Sequence, residues 1–266
     1  MDFAAAKLAA VHAGSSWFAK AANSHTARIV HSCIVRLQAR FANGLHAREA
    51  VAKTQAFLHD PAGGHLDDDD VATPVLRVGL LHMPSALDRA MAVATSLNVP
   101  KVQREAVLTA VGITPRAQDK ARILAWSISG AVGLQDAALP LASVAQSGDE
   151  GAVLAARFLR EELARIQTIV AGAFAPVFTG VIAACCHGIG TAERADSMHA
   201  FFTAHAADLV DVQRTVQQIV EQARSDAAFR ERGCAQRRWM LSPRTPDNSR
   251  SLQWTSTHTH TQVTSH

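Results

Sequence analysis

Thirteen histidines, four cysteines and a run of four aspartates are the residues of this 266-residue chain best suited to chemistry. Their densest mixture is TAERADSMHAFFTAHAADL, residues 191–209, where His199 and His205 stand among acids as zinc ligands would. A helix turns about 100° per residue, so a spacing of six puts two side chains roughly 240° apart, and this segment alone cannot bring both imidazoles to one ion. His25 and His31 in HTARIVH share the same unfavourable offset. Ala195, Met198, Phe202, Ala206 and Leu209 instead fall on one stripe, with His205 beside it. Thr191 stands where an N-cap belongs, Glu193 lies in the positive first turn, and His199 is one turn from Asp196, an ordinary side-chain spacing. The segment is predicted to be a packed amphipathic helix.

The remaining candidates are weaker. Cys33, Cys185, Cys186 and Cys234 show no C-x-x-C spacing. The adjacent Cys185 and Cys186 suit a strained redox pair or a metal less well than buried free thiols in a reducing, cytoplasmic setting. The aspartate run in DPAGGHLDDDD lacks spaced ligands and a closing glutamate, so it reads as a solvated loop. No histidine is followed by glutamate, which excludes the H-E-x-x-H zinc-hydrolase helix. The phosphate-binding G-x-x-x-x-G-K-[ST] loop, the G-x-S-x-G elbow and a dinucleotide glycine fingerprint are absent too. No catalytic, cofactor-binding or metal residue is therefore assigned within this chain, and the substrate-contacting residues stay unknown.

The elements that carry these residues read as helices throughout. Ser24 is expected to cap a helix with an inward face of Ile29 or Ile34, Val30, Cys33, Leu37 and Phe41, stopping at Asn43-Gly44. A helix over 46–58 leads to the loop just described. Thr73-Pro74 and Thr114-Pro115 have the chemistry of two helix starts, 41 residues apart, with further helices near 85–97 and 101–111 between them. That spacing fits HEAT- or armadillo-like helical hairpins. Later helices are expected at 136–147, 149–164, 167–187, 191–206 and 208–230. In the second of these, Val153, Ala156, Phe158, Leu159, Leu163 and Ile166 form the apolar face. In the last, Val212, Val216, Ile219, Val220 and Ala223 turn inward, and Gln213, Arg214, Gln217, Gln218 and Glu221 face solvent. The expected architecture is an all-α, HEAT/armadillo-like superhelix of antiparallel helix pairs over residues 1–236. Residues 237–266 are polar and rich in Pro, Ser and Thr, and read as a disordered tail in which His258 and His260 have no fold to fix them.

Composition narrows the classes further. The chain is 48% hydrophobic, 5% aromatic and without tyrosine, which suits closely packed alanine-rich helices better than sheets. Its net charge of +3 comes from scattered arginines, which argues against a nucleic-acid stripe. The first twenty residues lack the continuous apolar run of a secretory signal and are read as an ordinary first helix. Residues 166–186, IQTIVAGAFAPVFTGVIAACC, are uncharged and long enough to span a bilayer. Gly172, Pro176, Gly180 and an alanine-based apolarity favour a buried helix instead.

LQARFANGLHAREAVAKTQAFL, TPRAQDKARILAWSISGAVGLQDAALPLASVAQ, GAVLAARFLREELARI, TAERADSMHAFF and VQQIVEQARSDAAFRER follow one another in an order that resembles the C-terminal domain of M1-family zinc aminopeptidases. This order is similar to that of the endoplasmic-reticulum and puromycin-sensitive types. The resemblance spans about residues 25 to 235 and rests on order and spacing more than on any single motif. It implies an α-helical, HEAT-like domain that caps the active-site chamber and contacts the peptide substrate. It also implies that zinc, the H-E-x-x-H helix and the G-x-M-E-N motif belong to an upstream catalytic domain, of which this chain carries no trace. The expected function is thus a non-catalytic aminopeptidase domain, as a truncated paralogue or fragment, whose partners are a peptide or a catalytic aminopeptidase domain. A free-standing α-solenoid that binds a peptide or protein is the alternative, and a protein anchored through residues 166–186 a third.

Overall fold

The computed structural model describes Trp17 and residues 25–40, 44–66, 69–171 and 175–241. Met1–Ala228 form one compact unit and Phe229–His266 a second. Eleven α-helices and no strands occur among the described residues. They are α1 (His25–Ala39), α2 (Gly44–His59), α3 (Asp69–His82), α4 (Leu87–Thr95), α5 (Lys101–Ala110), α6 (Ala117–Ser127), α7 (Ala138–Ala145), α8 (Asp149–Val170), α9 (Ala175–Cys185), α10 (Ala192–Ala204) and α11 (Gln213–Leu241). A 3₁₀ segment, Ala206–Val212, joins the last two.

Within the first unit the helices pack in two interleaved series. α1 meets α3, α3 meets α5, α5 meets α7 and α7 meets α9, while α2, α4, α6 and α8 lie against their sequence neighbours. Alanine makes the close approaches. Ala50, Ala90, Ala110 and Ala155 are wholly buried among Phe57, Leu76, Ile123, Leu141 and Leu159. Gly112, in the 3₁₀ turn after α5, lies so close to the backbone of Ser143 and Val144 on α7 that no side chain fits between them. Its amide donates to Ser143 Oγ (2.9 Å), and that hydroxyl donates to the Thr109 carbonyl (2.8 Å). Lys120, nearly buried on α6, reaches Glu150 on α8 at 2.8 Å.

Several boundaries and faces differ from the sequence expectation. Pro74 lies inside α3 and Thr73 is no cap. Asp69 and Asp70 favour the positive helix start, so α3 begins a turn earlier and forgoes the one bond that Pro74 cannot donate. Thr114 and Pro115 precede α6, whose N-cap is Arg116. The separation expected at 164–167 falls instead between Val170 and Ala175, so residues 166–186 belong to two helices. No helix among the described residues is long and apolar enough to cross a membrane. On α8 the buried face is Gly151, Ala152, Ala155, Leu159, Leu163 and Ile166, and Val153 is exposed.

The largest reversal is in α1. Ile29, Val30 and Leu37 are 49%, 52% and 44% exposed, and Cys33 is exposed as well, whereas Ser32, Val35 and Gln38 face inward. Trp17 explains the inversion. Its buried indole N–H donates to Gln38 Oε1 (2.7 Å), its ring stacks on His46 at 5.2 Å, and its carbonyl accepts from His31 Nε2 (3.0 Å). A buried indole N–H needs an acceptor, and Gln38 supplies one from the polar side of the helix. Residues 237–241 of the expected tail continue α11 as helix, while the rest of that tail with His258 and His260, the first-twenty-residue helix apart from Trp17, and Phe41 lie outside the described residues.

Candidate functional site

α10 is built as its sequence predicts at its start. Thr191 is the N-cap, and its hydroxyl accepts from the Arg194 amide at 3.3 Å. Ala195, Met198 and Phe202 are buried, and so is Leu209 in the following 3₁₀ segment, but the helix stops at Ala204 and Ala206 is exposed. Four contacts from α8 seat this region. Arg160 donates to Ser197 Oγ (2.9 Å) and Met198 Sδ (3.3 Å), and its guanidinium lies 5.9 Å from the Phe201 ring centre. Gln167 donates to the Asp208 carbonyl at 2.8 Å.

A groove of about 420 Å³ opens between α10 and the first turns of α11. Phe202, Leu209, Val216 and Val220 form its apolar floor. His199, Gln213, Gln217 and Arg224 stand on its rim. Arg224 spans the rim, donating from two nitrogens to Asp196 Oδ1 (2.8 and 3.2 Å). Asp196 is thus engaged across the groove by α11, and the pairing with His199 expected from their spacing gives way to that stronger, charge-assisted one. Gln217 donates to Glu221 Oε1 (3.0 Å). Such a site has an apolar bed with amide, imidazole and guanidinium donors at its edge. That chemistry suits recognition by shape and hydrogen bonds.

The two histidines of this segment have separate fates. His199 is exposed at the groove. His205 closes the end of α10, with Nδ1 donating to the Phe201 carbonyl (2.9 Å) and its ring 4.5 Å from that of Phe201. His25 is exposed and His31 is held by Trp17. Among the described residues no three His, Cys, Asp or Glu side chains gather to hold a metal. Cys185 and Cys186 are buried free thiols. Burial pushes the Cys186 thiol up to about 12, partly offset by Arg160, and burial followed by the neighbouring Cys186 raises Cys185 well above its ordinary value. Thiols kept protonated in this way are poor nucleophiles and poor metal ligands.

Gln213, Gln217 and Glu221 were expected to face bulk solvent, and the groove was not foreseen. It arises only when α10 and α11 are set side by side, and neither helix's periodicity reports on that.

The ERAP1-like C-terminal domain family matches residues 2–225, most of the chain. The chain belongs to that family. It is therefore an aminopeptidase C-terminal-type helical domain, the module that the order of its helices resembles. No curated protein matches the chain.

Proposed function

We propose that this domain serves an M1-type aminopeptidase as its non-catalytic cap, closing over the active-site chamber and contacting the peptide. One observation carries the reading: the outward face of α1 is apolar, with Ile29, Val30 and Leu37 each about half exposed on one 15-residue helix. Contiguous exposed apolar surface marks a docking site. The interleaved helix series supports a HEAT-like array, and the α10–α11 groove would be the part of it that meets the peptide. Zinc would reside in the catalytic partner. The free thiols of Cys33, Cys185 and Cys186 favour action in a reducing compartment, the cytoplasm.

The test mixes the full chain with a separately produced M1 catalytic portion that lacks its own C-terminal domain, and follows hydrolysis of a ten-residue peptide against an aminoacyl anilide. The chain alone should cleave neither. Adding it should form a complex on gel filtration and shift the preference toward the long peptide. A monodisperse chain that ignores the catalytic portion yet binds peptides would establish the second reading, a free-standing module. The α10–α11 groove is the surface such a module would offer the peptide.

A further inference from the structure

The exposed arc of α1 is basic as well as apolar. At about 100° per residue, Arg36, Ile29, Cys33, Leu37 and Val30 fall within an arc of about 120°, in that order, and Arg40 follows in the turn that ends the helix. All six are exposed. α1 contains no aspartate or glutamate. Behind this edge, on α3, stands the half-buried Arg77, whose one hydrogen bond among the described residues is a long one, 3.4 Å, to the Thr109 carbonyl. Burial first, then the Arg40 charge, holds the Arg77 guanidinium below its ordinary value. No ion pair is formed by Arg36, Arg40 or Arg77 among the described residues. With no carboxylate paired to them among the described residues, these like-charged guanidiniums keep donors for an outside acceptor.

We infer that α1 is the seat of an acidic amphipathic helix of the partner protein, whose apolar ridge packs on Ile29, Val30, Cys33 and Leu37 while its carboxylates reach Arg36, Arg40 and Arg77. The i, i+4, i+8 row of Ile29, Cys33 and Leu37 and the i, i+3, i+7 row of Val30, Cys33 and Leu37 are the ridges that helix-against-helix packing uses. The charge argues for a protein carboxylate donor over this chain's own start, since residues 1–24 contain one acid, Asp2, against Lys7 and Lys20. A carboxylate beside Arg40 and Arg77 meets a charge-assisted, bidentate-capable pair of donors. The inference rests on the capping role proposed above and names the chemistry of the partner surface.

Cys33 lies inside the arc and reports its occupancy. The full chain carrying Cys234→Ser is alkylated with a fluorescent maleimide, with Cys185 and Cys186 shielded by burial. The probe is a synthetic helix of about 18 residues with leucines at i, i+3, i+4 and i+7 and glutamates on both flanks, long enough to hold a helix. Its twin carries lysines in place of the glutamates. The glutamate helix should slow Cys33 labelling about tenfold at saturation and lose this effect in high salt. In Arg36→Glu/Arg40→Glu, both surface changes that spare the core, protection should pass to the lysine twin. Equal protection of the unmodified surface by both twins would sink the charge argument. Protection by phosphatidylserine vesicles and not by the glutamate helix would assign the face to lipid. Slower labelling on raising the chain's own concentration would assign it to a second copy, and faster labelling on deleting residues 1–16 would assign it to this chain's own start. If the charge swap is obtained but no M1 catalytic portion binds, the acidic-helix seat on α1 stands for a partner of another kind and the capping role falls. If the catalytic portion binds while Cys33 labels at full rate, the capping role stands and this inference falls.

Discussion

Replacing Gly112 with alanine tests the packing that holds the helix series together. A Cβ there would meet Val144 N at 2.2 Å, the Ser143 carbonyl carbon at 2.3 Å and its oxygen at 2.7 Å, all of them backbone atoms. Backbone cannot swing aside as a side-chain tip can, so α7 must part from the 3₁₀ turn by about 1 Å to restore ordinary contact. Such overpacking costs about 1–3 kcal/mol. Parting also stretches the Gly112 N–H bond to Ser143 Oγ, worth about 0.5–1.5 kcal/mol. The expected loss is therefore about 2–4 kcal/mol, a large share of the roughly 5–15 kcal/mol available to a domain. Gly180→Ala is the matched control. Its Cβ would meet only Ala138 Cβ at 3.8 Å, and it sits within α9, so alanine should stabilise by about 0.5–1 kcal/mol. Urea titrations followed by circular dichroism measure both. If Gly112→Ala shifts the unfolding free energy by less than about 1 kcal/mol, or if the two variants shift it alike, the close approach of α5 and α7 is misread.

Phe202→Asp should leave the chain aggregated or unfolded on gel filtration, because an unpaired charge would replace a ring only 3% exposed. His199→Ala should change the urea midpoint by no more than about 0.5 kcal/mol and leave the metal content of the purified chain unchanged, since the side chain is exposed; a loss of bound zinc would overturn the account of α10. Stability should also fall in alkali. The unfolded Cys186 thiol ionises near its ordinary 9.0 whereas the folded one holds its proton to about 12, so the contribution is intact below 9 and is lost as pH rises between the two. The slope is up to about 1.4 kcal/mol per pH unit per thiol. Urea midpoints at pH 8, 9.5 and 11 should show it, and Cys186→Ala should flatten it.

Most helices were legible because their signals are local. Thr191 caps the helix it announces, and the apolar rows of α10 and α11 point inward as their spacing requires. What was not legible depended on residues distant in the chain. α1 presents its apolar side outward because Trp17 engages Gln38 and His31 on the polar one, and no periodicity within residues 25–40 contains that information. The separation of α8 from α9 was misplaced because apolar residues continue through it without a charge. The groove needed two helices in register, so its rim residues looked like ordinary solvated side chains.

The alanines that bring these helices together have a consequence for how the chain tolerates change. At Ala50, Ala90, Ala110 and Ala155 the neighbouring helix sets a ceiling on volume and asks little else of the side chain. Interaxial distance follows directly from what stands at such contacts. Substitution by another small residue leaves the spacing nearly untouched, while one added methylene is passed along the whole stack of rods. The architecture is thus written as a list of permitted sizes, which many different sequences can satisfy.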